Sequence, residues 1–176
     1  MFRRRKNRTV ARPGAQSPKP KAAQPGADPY VSALTMLARR ELSEAQVRQR
    51  LARKGHEDDA IEAAIERLRS ERALDDARVA EAIAHTEVAV HRRGRLRVKR
   101  DIERAGIHPE LARRAVDEVY GGVDADALLD AQLAKRLRGR VTITDRAEAQ
   151  RLYRYLVGQG FEPDRVLAAL KKHKGH

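Results

Sequence analysis

Cysteine and tryptophan are absent from this 176-residue chain, and its other aromatic rings are two phenylalanines and four tyrosines. Without thiols there is no disulfide, no thiolate nucleophile and no Cys-ligated zinc, and the composition fits a reducing compartment. Without more aromatic rings a base-stacking platform of the RRM or OB type is excluded. Long apolar runs are missing too. No stretch approaches the roughly 18 uncharged residues of a membrane span, and the basic start lacks the apolar segment of roughly 7 to 15 residues that a secretory signal needs. Neither membrane insertion nor export is expected.

Acids are the minority charge. Lys and Arg number 38 against 25 Asp and Glu, a net charge of +13, which favours a polyanionic partner. The excess is uneven. Residues 1–28 hold eight bases, including Arg3, Arg4, Arg5, Lys6 and Arg8, against Asp28 alone, interleaved with Pro13, Pro18, Pro20 and Pro25. This composition predicts a disordered cationic tail that could add electrostatic affinity for DNA or serve only solubility.

From Tyr30 onward the apolar spacing is three and four residues, and prolines fall at element edges, so the fold class is all-α. Only Val141 to Thr144 alternates like a strand, and it is too short to make a sheet. The chain also repeats. Val47 to His56, Val98 to Ile107 and Leu152 to Phe161 align without gaps on Gly55, Gly106 and Gly160. Each window has an apolar residue eight before the glycine and another four before it. An acid follows at four (Asp59, Glu110, Asp164) and an aliphatic at ten (Ile65, Val116, Leu170). Each glycine ends a helix in the left-handed conformation that glycine adopts at low cost. Pro109 and Pro163 suit the first turn of the next helix. Ser43 with Gln46, and Asp145 with Glu148, mark helix starts of the capping-box type. A further helix precedes each pair, near 30–41, 75–92 and 124–138. The expected architecture is a tail over 1–28 and three tandem three-helix repeats over 29–73, 74–121 and 122–176, forming an elongated, curved solenoid.

The densest charge in the folded part is Arg92, Arg93, Arg95, Arg97, Lys99 and Arg100, a run without an acid. As a helix from Arg95 it turns Leu96, Val98 and Ile102 toward neighbours and its arginines toward solvent. There they could meet phosphates or the acids of a protein partner, or form an ordinary solvated face. A second cluster, Lys135, Arg136, Arg138 and Arg140, ends the next unit's first helix, where cations also complement the helix dipole.

Other chemistry finds no support. The six histidines lack metal-ligand spacing, Gly121-Gly122 lacks the Lys-Ser/Thr of a phosphate loop, and the serines lack a His and acid at triad spacing. Asp58-Asp59 and Asp75-Asp76 fall at helix starts, where capping explains them. Neither metal nor cofactor is expected, and catalysis is not expected. Two helices joined at a glycine also suggest a helix-turn-helix reader of DNA. Yet the second helix of each pair starts on acids (Asp58-Asp59, Glu110, Asp164), which repel phosphates.

Ser43 through Leu51-Ala-Arg-Lys-Gly55, Leu74-Asp75-Asp76-Ala-Arg-Val79-Ala80, Arg92-Arg93-Gly94-Arg95 and Ile102 to Ile107 stand in the order and spacing of the RecX regulators of bacterial RecA recombinase. The chain resembles that family over about residues 30–173. It departs at Val79, where the family has an aromatic, and at His56, where it has an apolar or aromatic residue. The tail has no counterpart in the common core. The resemblance implies a cytoplasmic, non-catalytic monomer that lodges in the groove of the RecA filament on single-stranded DNA. There it would restrain filament growth, ATP hydrolysis and strand exchange, with weak direct DNA binding as an accessory. The alternative is a nonspecific basic DNA-binding protein acting independently of RecA.

Overall fold

The structure, a computed structural model, describes residues 28–173. The predicted tail, with Arg3, Arg4, Arg5, Lys6 and Arg8, lies outside the described residues. Those residues form helices α1 (Pro29–Leu37), α2 (Glu44–Arg53), α3 (Asp58–Ser70), α4 (Asp76–Ala89), α5 (Arg95–Arg104), α6 (Pro109–Gly121), α7 (Ala125–Leu137), α8 (Arg146–Gly158) and α9 (Pro163–Lys172). The fold is an all-α helical repeat. The strand-like alternation at 141–144 yields only an isolated bridge, in which the Ile143 N–H donates to the His173 carbonyl at 2.7 Å.

The caps place the helices where the sequence signals fall. Gly55, Gly106 and Gly160 take φ of 84°, 81° and 94°. After two of them the chain folds back, His56 N–H donating to Leu51 O and Phe161 N–H to Leu156 O, each at 3.3 Å. This pairing satisfies carbonyls that the helix end would otherwise orphan. Pro29, Pro109 and Pro163 occupy first turns, and Ser43 with Gln46 forms a complete capping box. Asp145 caps α8 through Glu148 N–H at 2.6 Å, but the Glu148 carboxylate does not return to it. It takes the Thr144 N–H at 3.0 Å and the Thr144 hydroxyl at 2.9 Å instead, along with Arg140.

Two boundaries and one cap differ from the sequence reading. The helix predicted over 30–41 ends at Leu37, and the one over 75–92 ends at Ala89. Arg92 then sits at φ 51°, outside the helix altogether. Asp75 caps α4 through the N–H groups of Ala77 and Arg78. Asp58 and Asp59, by contrast, cap nothing: Glu57 precedes α3 without a side-chain cap bond, so these acids act through the helix dipole alone.

Three buried clusters follow one another along the chain. The first gathers Leu42, Val47, Leu51, Ile61, Ile65 and Leu68 around α1–α3. The second gathers Val79, Val98, Ile102, Ile107, Val116 and Tyr120 around α4–α6. The third gathers Leu129, Leu133, Leu152, Leu156, Phe161 and Val166 around α7–α9. A fully buried aliphatic or Phe side chain contributes about 1.5–3 kcal/mol, so each cluster is a modest core that depends on its neighbours. His56 is half-buried where Ile107 and Phe161 are buried, and its Nε2 has no hydrogen-bond partner.

The groups are joined end to end through their middle helices. Gly94, at the start of α5, has no side chain to cap that helix. Its N–H donates to the Gln159 carbonyl at 2.9 Å, and the Leu96 N–H donates to the Gly160 carbonyl at 3.1 Å. The carbonyl end of α8 thus satisfies the orphan donors of α5. The same register recurs one group earlier. Ser43, fully buried, accepts from Gln46 N–H and donates its hydroxyl to the Ala105 carbonyl at the end of α5. The Glu44 N–H donates to Asp76 Oδ1 at 2.9 Å across the same boundary. Among the described residues no hydrogen bond joins the first group to the third. The groups form a row whose hydrogen bonds, among the described residues, run only between neighbours in sequence.

Candidate partner interface

The cationic run enters the structure through two elements. Arg92 and Arg93 close the turn after α4, and Arg95, Arg97, Lys99 and Arg100 lie on α5. Four carboxylates lie beside this run, whose cationic side chains stay partly or fully exposed. Arg93 Nε lies 2.9 Å from Glu87 Oε2. The two atoms are buried and not aligned for a hydrogen bond, so charge alone holds them. Arg95 pairs with Asp117 of α6, Arg97 with Asp101 at 3.4 Å, and Lys99 with Glu103 at 3.7 Å. Arg97 also donates to the Gly158 carbonyl at 3.1 Å and so serves the junction with the third group. Arg92 and Arg100 have no carboxylate partner among the described residues, and both are exposed. Leu96 does not turn inward as expected: it is 43% exposed, while Val98 and Ile102 are buried. The reason is register, since Leu96 lies two residues from Val98 and so on another face of the helix.

The second cluster divides in the same way. Lys135 and Arg136 occupy the last turn of α7, and Arg138 is its left-handed cap at φ 52°. Arg140 is held by Glu148. That contact and the two Thr144 donors lower the Glu148 carboxyl to about 2. Arg136 lies over the Tyr155 ring, 3.7 Å from its centroid, a cation–π contact. Lys135 and Arg138 remain exposed and free of carboxylates among the described residues.

A buried amide links the two clusters. Gln132, 7% exposed, donates from Nε2 to the carbonyls of His91 at 3.1 Å and Arg92 at 3.3 Å. It accepts from the Tyr155 hydroxyl at 3.3 Å. The backbone at Arg92 and the ring under Arg136 therefore share one polar network at the boundary of α4 and α7. On the other side of the turn the Tyr120 hydroxyl donates to the Arg93 carbonyl. Burial pushes that phenol well above its ordinary value, so it stays a neutral donor. Sequence reasoning missed Gln132, Glu87 and Asp117. A glutamine one turn after Leu128 and Leu129, inside an apolar stripe, was the available signal. Gly55, Gly106 and Gly160 end α2, α5 and α8, and the latter two also meet the preceding group. Among the described residues no three His, Cys, Asp or Glu side chains gather as metal ligands, and no helix is long and apolar enough to cross a membrane.

The fold, with its three glycine-ended helix pairs in a row, defines a tandem three-helix repeat protein. The family model described as RecX, first three-helix domain, matches residues 30–68. The curated regulatory protein RecX of Halorhodospira halophila is 33% identical over 139 residues, covering 78% of this chain and 83% of that protein. That of Syntrophotalea carbinolica is 34% identical over 144 residues, covering 78% and 90%. The crystal structure of RecX from Lactobacillus salivarius superposes with a TM-score of 0.65 at 20% identity, over 82% of this chain and 93% of that one. The chain belongs to the RecX family of regulatory proteins.

Proposed function

We propose that this chain binds the RecA nucleoprotein filament on single-stranded DNA, along its groove, and restrains filament growth, ATP hydrolysis and strand exchange. The observation that carries the reading is the row of three groups joined in one repeated register. A row presents similar surfaces at regular intervals, and a filament offers similar protomers at regular intervals, so several weak contacts act together. Within the row, the unpaired cations Arg92, Arg100, Lys135 and Arg138 supply the charge for an acidic protomer surface or for phosphates. Arg93, Arg95, Arg97, Lys99 and Arg140 have most of their charge answered internally and serve mainly to fix the turn and the junction. The protein acts in the cytoplasm, as a monomer, and without catalysis of its own.

The deciding experiment is a titration of the full chain against the single-stranded-DNA-dependent ATPase of RecA. Inhibition that Arg92→Glu with Arg100→Glu relieves at least about tenfold is expected. No effect on the ATPase, with equal affinity for bare duplex, would replace the proposal by nonspecific DNA binding.

A further inference from the structure

The third group departs from the repeat where the middle and last helices face each other. In the first group, seven residues before and after Gly55, Arg48 of α2 and Glu62 of α3 form an ion pair at 2.5 Å. Arg69 of α3 adds a bridge to Glu44 of α2 at 2.7 Å. In the second group, eleven residues before and after Gly106, Arg95 and Asp117 pair across α5 and α6. The equivalent positions around Gly160 hold Tyr153 with Leu167, and Ala149 with Lys171. Among the described residues no ion pair joins α8 to α9. What lies there instead is a cleft of about 980 Å³, floored by Ile143, Ala149, Tyr153, Leu167 and Leu170. Leu167 is 45% exposed, a large apolar side chain left at the surface.

The rim of this cleft is cationic. Arg146, Arg154 and Lys171 line it, and none has a carboxylate partner among the described residues. Its one acid, Asp145, already accepts the Glu148 N–H. An apolar floor under three unanswered cations selects an anionic occupant with an apolar side chain to insert. The chain's own ends do not qualify. Residues 1–28 hold eight bases against Asp28, and Lys174, Gly175 and His176 contain no acid. A second copy, at +13, also has the wrong net sign.

We infer that the α8–α9 cleft of the third group is a docking site for an acidic segment of a partner protein that inserts one Leu or Phe side chain between Tyr153, Ala149 and Leu167. Its carboxylates meet Arg146, Arg154 and Lys171. The site is a property of the third group alone and does not depend on what the cations near Arg92 and Arg138 bind.

The test is fluorescence anisotropy of labelled peptides, about a dozen residues long, added to the full chain. One peptide is rich in Glu around a central Leu, one has Lys in place of Glu, and one has Ala in place of Leu. The acidic, Leu-bearing peptide should bind, and its affinity should fall with added salt. Lys171→Glu and Leu167→Asp should each weaken it at least about tenfold, whereas Arg114→Glu, an unpaired exposed cation of the second group, should leave it unchanged. Circular dichroism checks that each variant is folded, and Lys171→Glu decides the matter if Leu167→Asp is not. No binding, binding indifferent to peptide charge or anchor, or binding unaltered by Lys171→Glu would overturn the assignment. A concentration-dependent dimer in sedimentation that Leu167→Asp abolishes would give the cleft to a second copy instead.

Discussion

Three alanine substitutions separate the two roles that glycine plays in this row of helices. At Gly139 φ is 84° and an added Cβ would meet nothing within 4 Å, so Gly139→Ala carries only the left-handed backbone penalty. That penalty is about 1–2 kcal/mol. At Gly94 φ is an ordinary −78°, but a Cβ would fall inside 3.0 Å of the Gly160 backbone. Gly94→Ala therefore carries only the junction. At Gly160 both costs apply, since φ is 94° and a Cβ would meet the Gly94 carbonyl at 2.6 Å and the backbone of Arg97. Backbone cannot step aside as a flexible side chain can, so the α5–α8 boundary must open. Opening it loses the Gly94–Gln159, Leu96–Gly160 and Arg97–Gly158 hydrogen bonds, at about 1 kcal/mol each. The expected losses are therefore about 1–2 kcal/mol for Gly139→Ala, about 3 for Gly94→Ala, and about 4–5 for Gly160→Ala. Urea unfolding followed by far-ultraviolet circular dichroism measures all three. With total stabilities of about 5–15 kcal/mol for a domain, the last variant should also show a separate early transition as the third group uncouples. A neutral Gly94→Ala, or equal losses for Gly139→Ala and Gly160→Ala, would refute the end-to-end junction as the element that joins the groups.

Arg138→Gly should stabilise the chain by about 1 kcal/mol, because Arg138 holds φ 52° in a conformation that costs a side-chain residue and costs glycine little; thermal unfolding checks it. Glu148 has its carboxyl lowered to about 2, chiefly by the Arg140 guanidinium and then by the Thr144 donors. A lowered acid contributes stability that is present above its unfolded value of about 4.3 and lost as the pH falls toward the folded one. Glu148→Gln should therefore flatten the acid limb of the stability profile between about pH 4.5 and 2. Asp76 moves the other way, raised first by burial even though it accepts the Glu44 N–H. Its ionised form costs stability as the pH rises past its unfolded value, so Asp76→Asn, keeping an acceptor, should stabilise the chain at neutral pH and leave it unchanged in strong acid.

Much of the fold is written along the chain because its determinants are local. A Schellman-type ending needs one glycine and an apolar residue after it, and a capping box needs Ser43 and Gln46 three apart, so both are readable within a helical turn. Charge is different. The run from Arg92 to Arg100 contains no acid, yet Glu87 lies just upstream of it and Asp117 on the next helix, α6. A linear window counts charges along the chain and is blind to those that arrive from the side. Ser43 shows the same limit: its capping role is local, while its second bond, to the Ala105 carbonyl, exists only once the next group is in place.

The repeat itself supplies what linear reading lacks. Once Gly55, Gly106 and Gly160 set a common register, positions seven and eleven residues to either side become facing pairs, and the first group closes the former and the second group the latter with opposite charges. Surface ion pairs are individually weak, contributing about 0–1 kcal/mol, so their loss in the third group costs little stability. Replacing them by Tyr153, Leu167, Ala149 and Lys171 has a larger effect on recognition, because it leaves apolar surface and unanswered cations side by side. A shared register thus makes departures measurable: the glycines, caps and core hold the row together, and the third group's exceptions give one end of it a surface the other two lack.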